Sequence, residues 1–135
     1  MTRRPTILVV DDDPDYLSLV TSRLTSRGYA VVSAADGRAG LELAQQQPPD
    51  LIILDLLLPR LNGYEVCTLL KQDTRYRQIP IIMFSGKIGR KDRDTALACG
   101  ADAYVTKPYT TEELFKEIGR LLGAPPAASA AGGAG

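Results

Sequence analysis

The feature that most constrains this chain is the stretch from Asp50 to Gly63, which reads D-L-I-I-L-D-L-L-L-P-R-L-N-G. Its run Leu51–Leu54 is uniformly apolar and too short for a helix, which favours a parallel strand buried on both faces. The run stops on Asp55, and Pro59 and the Asn62–Gly63 pair then predict a turn. An acid at the carboxyl end of a central parallel strand lies where open α/β sheets bind ligands, although it can also serve only to cap a loop.

Short apolar runs alternate with amphipathic stretches five times along the chain, which predicts a flavodoxin-like doubly wound α/β fold. We expect five parallel strands in the order 2-1-3-4-5, with helices on both faces. The predicted strands are Thr6–Val10, Ala30–Ala34, Leu51–Asp55, Ile79–Phe84 and Ala103–Thr106. The first three predicted helices run from Pro14 to a stop at Gly28, over Gly37–Gln47, and over about Tyr64–Asp73 with Val66, Leu69 and Leu70 inward. The basic stretch Lys87–Arg93 is expected to be a loop leading into a fourth helix that closes at Cys99–Gly100, and Thr110 or Thr111 is the expected cap of a fifth helix that extends to Leu122.

The length and composition of the chain indicate one domain followed by a short tail. The chain has 135 residues, enough for one domain, which we assign to residues 1–123. Residues 124–135 are rich in Ala, Pro and Gly, a composition that cannot build a core and is typical of a tail or linker.

Sixteen basic residues balance sixteen acidic ones, so the charge gives no reason to expect nucleic-acid or membrane binding. No secretory signal is recognisable, which predicts a cytoplasmic protein with reduced cysteines.

Four of the five predicted strands end on polar residues that can take part in chemistry. These residues are Asp11, Asp12, Asp13, Asp55, Ser85 and Lys107. In the predicted strand order all four ends point into one crevice. Clustered carboxylates repel one another, and a hard divalent cation with oxygen ligands, Mg²⁺, relieves that repulsion. The lysine and the serine can bind a phosphoryl group, and an aspartate can accept it covalently.

Each of these residues also has a simpler explanation. Asp13 or Asp15 is the expected N-cap of the first helix, Ser85 can be a turn residue, and Lys107 a solvated loop lysine.

The chain contains no histidine, so it has no His-based metal site, nucleophile or phosphocarrier of its own.

From about Thr6 to Leu122 the sequence resembles a response-regulator receiver domain of bacterial two-component signalling. The motifs that carry the resemblance are I-L-V-V-D-D-D-P-D, D-L-I-I-L-D-L-L-L-P-R-L-N-G-Y-E, P-I-I-M-F-S-G-K and G-A-D-A-Y-V-T-K-P-Y. The resemblance implies a signalling domain that is not an enzyme but assists its own phosphorylation and dephosphorylation.

The resemblance also implies a role for each site residue. Asp55 would accept phosphate from a histidine kinase or a phosphotransfer protein. Mg²⁺ would be bound by Asp12, Asp55 and the Leu57 backbone carbonyl, with Asp11 acting through water. Ser85 and Lys107 would contact the phosphoryl oxygens, and Tyr104 would be the aromatic switch residue. Leu57, Gly86 and Lys87 would tune the lifetime of the phosphate; Leu57 stands where Met is commoner and Gly86 where Ala is usual.

The output is expected to pass through the face formed by the fourth helix, fifth strand and fifth helix. The resemblance implies that this face meets a downstream effector protein or a fused output domain, and that it can form a homodimer. Direct nucleic-acid binding by the domain itself is not expected.

Two other functions remain as alternatives. One is an interaction module that keeps the fold without being phosphorylated. The other is an aspartyl-phosphate phosphatase of the haloacid dehalogenase type, with Asp11 as nucleophile in a D-x-D motif with Asp13, and Asp55 as a bystander. The phosphatase is disfavoured because it needs an acidic pair on a strand end after the lysine. The only acids after Lys107 are Glu112, Glu113 and Glu117, all in the last predicted helix.

Overall fold

The computed structural model describes residues 4–85, 90–106 and 111–123. The elements alternate strictly between strand and helix, as predicted. They are β1 (Thr6–Val10), α1 (Pro14–Ser26), β2 (Ala30–Ala34), α2 (Gly37–Gln46), β3 (Leu51–Asp55), α3 (Gly63–Gln72), β4 (Ile81–Ser85), α4 (Arg90–Ala98), β5 (Ala103–Thr106) and α5 (Thr111–Leu122).

The five strands form one parallel sheet in the order β2-β1-β3-β4-β5, which confirms the predicted fold. Strands β1 and β3, which are neighbours in the interior of the sheet, are almost wholly buried, as expected for strands covered on both faces. Val10 pairs with Leu54, so the residues that follow them, Asp11 and Asp55, leave the sheet side by side. The register of the sheet therefore brings the predicted acids to one edge.

Side chains alternate between the two faces of the sheet, and each face builds its own core. Within β3, Leu51 and Ile53 pack with α1 and α5, whereas Ile52 and Leu54 pack with α2, α3 and α4. The predicted apolar stripe of α5 joins the first core through Leu114, Ile118 and its neighbours. None of the helices in the described part of the chain is both long and apolar enough to cross a membrane.

Local hydrogen bonds explain where the helices begin. Asp13 caps α1, Asp36 caps α2 and Asn62 caps α3, each accepting from backbone N–H groups of the first turn. At α3 the cap is reciprocal, because the Glu65 carboxylate also accepts from the Asn62 N–H. That capping box starts α3 at Gly63, one residue before the predicted start at Tyr64. Helix α2 likewise ends at Gln46 rather than Gln47.

The predicted inward position of Leu69 is wrong, since its side chain is 46% exposed. Val66, Cys67 and Leu70 are the buried residues of this part of α3. At about 100° per residue, Leu69 lies on the far side of Val66 from Cys67, and so points toward solvent.

Strand β4 begins at Ile81, two residues after its predicted start. Pro80 has no N–H to donate, and the Ile79 N–H bonds back to the Tyr76 carbonyl.

Both cysteines are free thiols, as predicted. Cys67 lies in α3, while Cys99 follows the end of α4 rather than lying within it. The buried Cys67 thiol donates to the Cys99 carbonyl at 3.5 Å, and burial raises the pKa of this thiol to about 12. Cys67 is therefore a protonated core residue at neutral pH.

Candidate functional site

Three aspartates meet at the carboxyl edge of β1 and β3. Asp11 is fully buried, Asp55 is 6% exposed and Asp12 is exposed. One carboxylate oxygen from each lies within 4.8 Å of the others. We call this group the acidic cluster. The structure thus brings together three of the four acids that the sequence placed at these strand ends.

The fourth acid, Asp13, is used differently. Its side chain accepts from the Asp15 N–H at 3.0 Å and the Tyr16 N–H at 3.4 Å, and so caps α1. The Asp13 N–H in turn donates to the Asp11 carboxylate at 2.9 Å. This turn holds the Asp11 side chain under the start of α1. Asp13, which would be the second carboxylate of the phosphatase D-x-D motif, is therefore occupied as a helix cap.

The loop after Asp55 is held close to the sheet. The Leu56 N–H donates to the Phe84 carbonyl at 3.1 Å, which continues the β3–β4 ladder by one bond, and the Leu56 carbonyl accepts from the Gly63 N–H at 2.9 Å. The Leu57 N–H approaches the Asp55 carboxylate at 3.4 Å, while the Leu57 side chain is 57% exposed. Leu57 therefore combines a backbone near the acidic cluster with a largely exposed apolar side chain.

A γ-turn closes the same loop. The Leu61 N–H donates to the Pro59 carbonyl at 2.8 Å, and the intervening Arg60 has φ +72°. This turn is rare and strained for a residue with a side chain. The cost is of order 1 kcal/mol or more.

Gly63 lets α3 begin directly against this backbone. A methyl group at Gly63 would overlap the Asp55 carbonyl oxygen and lie 2.9 Å from the Leu56 Cα. Any larger residue would have to push α3 away from the loop that carries Asp55. The sequence had marked Gly63 only as a turn residue.

The remaining predicted site residues lie on the neighbouring strands. Ser85 is the last residue of β4, next in the chain to Phe84, which pairs with Asp55. Lys107 follows the end of β5 and lies outside the described residues, as do Gly86 and Lys87. The sheet order puts β4 and β5 on the Asp55 side of the sheet, at the same edge.

Tyr104 lies on β5 and is only 8% exposed. Its side chain belongs to the core that the sheet forms with α2, α3 and α4, and the Arg93 guanidinium lies 5.9 Å from the ring centroid. Arg93, Leu97, Tyr104, Glu117 and Arg120 line a shallow groove between α4, β5 and α5. In this structure the aromatic ring is thus already turned into the core beside that groove.

The acidic cluster fits a divalent cation. Carboxylate oxygens from two buried and one exposed aspartate form a hard, anionic donor set of the kind that Mg²⁺ prefers. Because such a set supplies few protein ligands, coordination positions remain for water or a phosphoryl oxygen.

Comparison with known proteins agrees with this geometry. A family model described as "Response regulator receiver domain" matches residues 7–119. The DNA-binding dual master transcriptional regulator RpaA of Synechocystis is 42% identical over 118 residues, covering 87% of this chain and 49% of that protein. The chain spans about half the length of the curated relatives it matches.

Two solved structures extend the comparison to the fold. Chemotaxis protein CheY4 of Vibrio cholerae superposes with a TM-score of 0.83 at 32% identity, covering 89% of this chain and all of that one. The receiver domain of sensor histidine kinase PA1611 of Pseudomonas aeruginosa has a TM-score of 0.83 at 31% identity, covering 90% of this chain and 100% of that one. The latter structure has a magnesium ion coordinated in its active site cleft. By its motifs, its strand order and these matches, the chain belongs to the response regulator receiver domain family.

Proposed function

We propose that this domain accepts a phosphoryl group on Asp55 from a histidine kinase or a phosphotransfer protein, and signals through the α4–β5–α5 face. The observation that carries the proposal is the acidic cluster, in which a nearly buried aspartate at the end of a central strand lies within 4.8 Å of two others. Receiver domains are signalling domains of response regulators, and this chain has the family's fold.

The chemistry is the transfer of a phosphoryl group from a phosphohistidine nitrogen to a carboxylate oxygen. Asp55 attacks the phosphorus, an O–P bond forms and the N–P bond breaks, and the leaving imidazole keeps the electron pair and takes up a proton. The Leu57 N–H lies 3.4 Å from Asp55 Oδ1, so we assign the attack to the other oxygen. Burial of Asp55 limits the access of bulk water to the acyl phosphate.

Mg²⁺ would be held by Asp12, Asp55 and the Leu57 carbonyl, with Asp11 acting through water. Bound there, it would neutralise the charge that gathers on the phosphoryl oxygens. Ser85 and Lys107 would contact the same oxygens from the ends of β4 and β5. The exposed Leu57 side chain would hinder attacking water, and Gly86 and Lys87 would also set the phosphate lifetime.

The signal would leave through the groove beside Tyr104. A phosphoryl group adds charge and three acceptor oxygens near the end of β4, which draws Ser85 and the following loop toward Asp55. Because Tyr104 is already buried, we expect phosphorylation to fix its inward position and reshape the α4–β5–α5 face. That face would contact an effector protein, a fused output domain or a second copy of the chain. A cytoplasmic location fits such partners, and RpaA is an example of a DNA-binding regulator among the relatives.

The decisive experiment is phosphorylation by a small-molecule phosphodonor with Mg²⁺. We expect one acid-stable, base-labile phosphate per chain in the parent and none in Asp55→Asn. Asp11→Asn should keep the acceptor, although it should label more slowly. Label that persists in Asp55→Asn and disappears in Asp11→Asn would favour the phosphatase, and no label in any protein would favour the interaction module.

The switch has a separate test. The phosphoryl mimic beryllofluoride with Mg²⁺ should shift amide NMR signals from Ser85 to Tyr109, well beyond the acidic cluster. In Ser85→Ala the mimic should still bind, but the distant shifts should shrink. Shifts confined to residues that touch the mimic in the parent would contradict the switch.

A further inference from the structure

The loop that follows Asp55 also has an outer contact, on the first turn of α2. The Gly37 N–H donates to the Pro59 carbonyl at 3.3 Å. A Cβ atom at Gly37 would lie 2.6 Å from the Leu61 carbonyl carbon and would overlap its oxygen. The backbone of the γ-turn therefore lies directly on the start of α2.

The glycine is needed there for space and not for its backbone conformation. Gly37 is not among the residues with positive φ, and it begins a regular helix capped by Asp36. By intrinsic helix propensity alone, alanine would be preferred to glycine at this position. The atoms in its way belong to the Leu61 backbone, which cannot rotate aside as a side chain would.

This contact is the outer support of the segment that carries the Leu57 carbonyl. On the inner side the loop is held at Leu56, by the Phe84 carbonyl and the Gly63 N–H. On the outer side it is held at Pro59 and Leu61, both against Gly37. Leu57 lies between the two supports, two residues before Pro59, so a displaced outer support must change the position of its carbonyl.

We propose that Gly37 is a positioning residue for the metal site, acting through Pro59 and Leu61 on the Leu57 carbonyl. The inference rests on the proposed Mg²⁺ site and extends it to a helix that contributes no ligand. It also makes α2 energetically coupled to the metal: whatever moves the first turn of α2 changes the affinity for Mg²⁺, and Mg²⁺ must stabilise that turn in return.

The test is Mg²⁺ binding by isothermal titration calorimetry in the parent, Gly37→Ala and Gly119→Ala. Gly119 is also helical, but a methyl group there meets nothing within 4 Å, so it is a matched control. We expect Gly37→Ala to bind Mg²⁺ about tenfold more weakly, the lower end for residues that support metal ligands. Gly119→Ala should keep the parent affinity. Circular dichroism should show both variants folded.

A folded Gly37→Ala with the parent's affinity overturns the proposal, as does an equal loss in both variants. If Gly37→Ala does not fold, hydrogen exchange in the parent decides. Mg²⁺ should slow exchange of the Gly37 amide more than that of Gln47, which bonds to Leu43 at the other end of α2. Equal effects at the two amides reject the coupling. A parent that binds no Mg²⁺ removes the proposed metal site itself, a result that the titration separates from a failure of Gly37 alone.

Discussion

The two edges of the sheet differ in that, within the part of the chain that the structure describes, only one of them gathers aspartates into a cluster. At the carboxyl edge, Asp11, Asp12 and Asp55 bring like charges within 4.8 Å of one another. At the amino edge, aspartates stand singly and each satisfies a backbone group. Asp50, just before β3, accepts from the first N–H of β1 at 2.7 Å, and Asp102, just before β5, accepts from the first N–H of β4 at 2.8 Å.

Lys71 completes the amino edge. Its ammonium group donates to the Asp102 carboxylate at 2.9 Å and to the Arg77 and Ile79 carbonyls at 3.1 and 2.8 Å. All three of its donors are therefore used. The difference between the edges indicates that opposite charges are paired where the sheet needs only stability, whereas like charges are gathered where a cation and a phosphoryl group are expected to bind.

Removing Lys71 should have the largest effect on stability. Lys71→Met keeps the aliphatic stem but removes the cation paired with Asp102 and the donor of two carbonyls, so we expect a loss of about 2 kcal/mol in the free energy of unfolding. The urea midpoint measures it. Lys116→Met, at an exposed position of α5, removes the same charge and should change stability by less than about 0.5 kcal/mol. Equal midpoints for the two variants would mean that the amino edge is not stabilised by this cation.

At the carboxyl edge, Asp12→Ala should change the response to metal. In the parent, Mg²⁺ at ten times its Kd should raise the free energy of unfolding by about 1.4 kcal/mol, because the unfolded chain has no preformed site. Asp12→Ala should lose this gain and, without metal, should be no less stable than the parent, since like charges are removed. Urea melts with and without Mg²⁺ measure both effects. The same Mg²⁺ gain in parent and variant would show that Asp12 is not a ligand.

Tyr29, in the turn that leads into β2 at the amino edge, should tolerate loss of its hydroxyl. The side chain is 1% exposed, and its hydroxyl has no hydrogen-bond partner among the described residues. Burial accordingly raises the pKa of Tyr29. Tyr29→Phe should leave the free energy of unfolding unchanged or raise it by up to about 1 kcal/mol. Tyr76→Phe is the control, because its hydroxyl donates to the Gln45 carbonyl at 3.2 Å and its loss should destabilise the fold. Destabilisation by Tyr29→Phe would indicate a buried partner such as water.

The smallest effect should come from Asp73, which ends α3. The Arg75 side chain donates two hydrogen bonds to its carboxylate, which lowers the pKa of Asp73 below 3.8. The unfolded chain then binds a proton more readily than the folded one, so this pair stabilises the fold above the ordinary pKa and ceases to do so as the pH falls through the lowered one. NMR titration of the carboxyl carbon should show the Asp73 midpoint rise toward 3.8 in Arg75→Ala. An unchanged midpoint would mean that the pair does not persist in solution.

Most of the fold was predictable because strand periodicity and strand ends are local signals. Runs such as Leu51–Leu54 and the acids that follow them predicted the strands and their polar ends. The flavodoxin-like order, inferred from the fivefold alternation of strand and helix, then placed those ends together. Leu69 was misplaced because Val66, Cys67, Leu69 and Leu70 together cover too wide an arc of the helix for all four to face the core, and only the packing of α3 decides which one is left out. The contacts of Gly37 and Lys71 could not be predicted, since their partners, the Leu61 backbone and Asp102, are distant in the sequence.

The strand order has a consequence for how the chain is assembled during synthesis. After β1 and β2, strand β3 adds to the free side of β1, and then β4 adds beside β3 and β5 beside β4. A nascent chain that ends after α3 would already contain the whole acidic cluster. It would still expose the edge of β3, including the Ile52 and Leu56 N–H groups that later bond to Pro80 and Phe84. The acids of the proposed metal site are therefore synthesised before β4 and β5, which carry the residues expected to contact the phosphoryl group, and only the arrival of β4 covers the exposed side of β3.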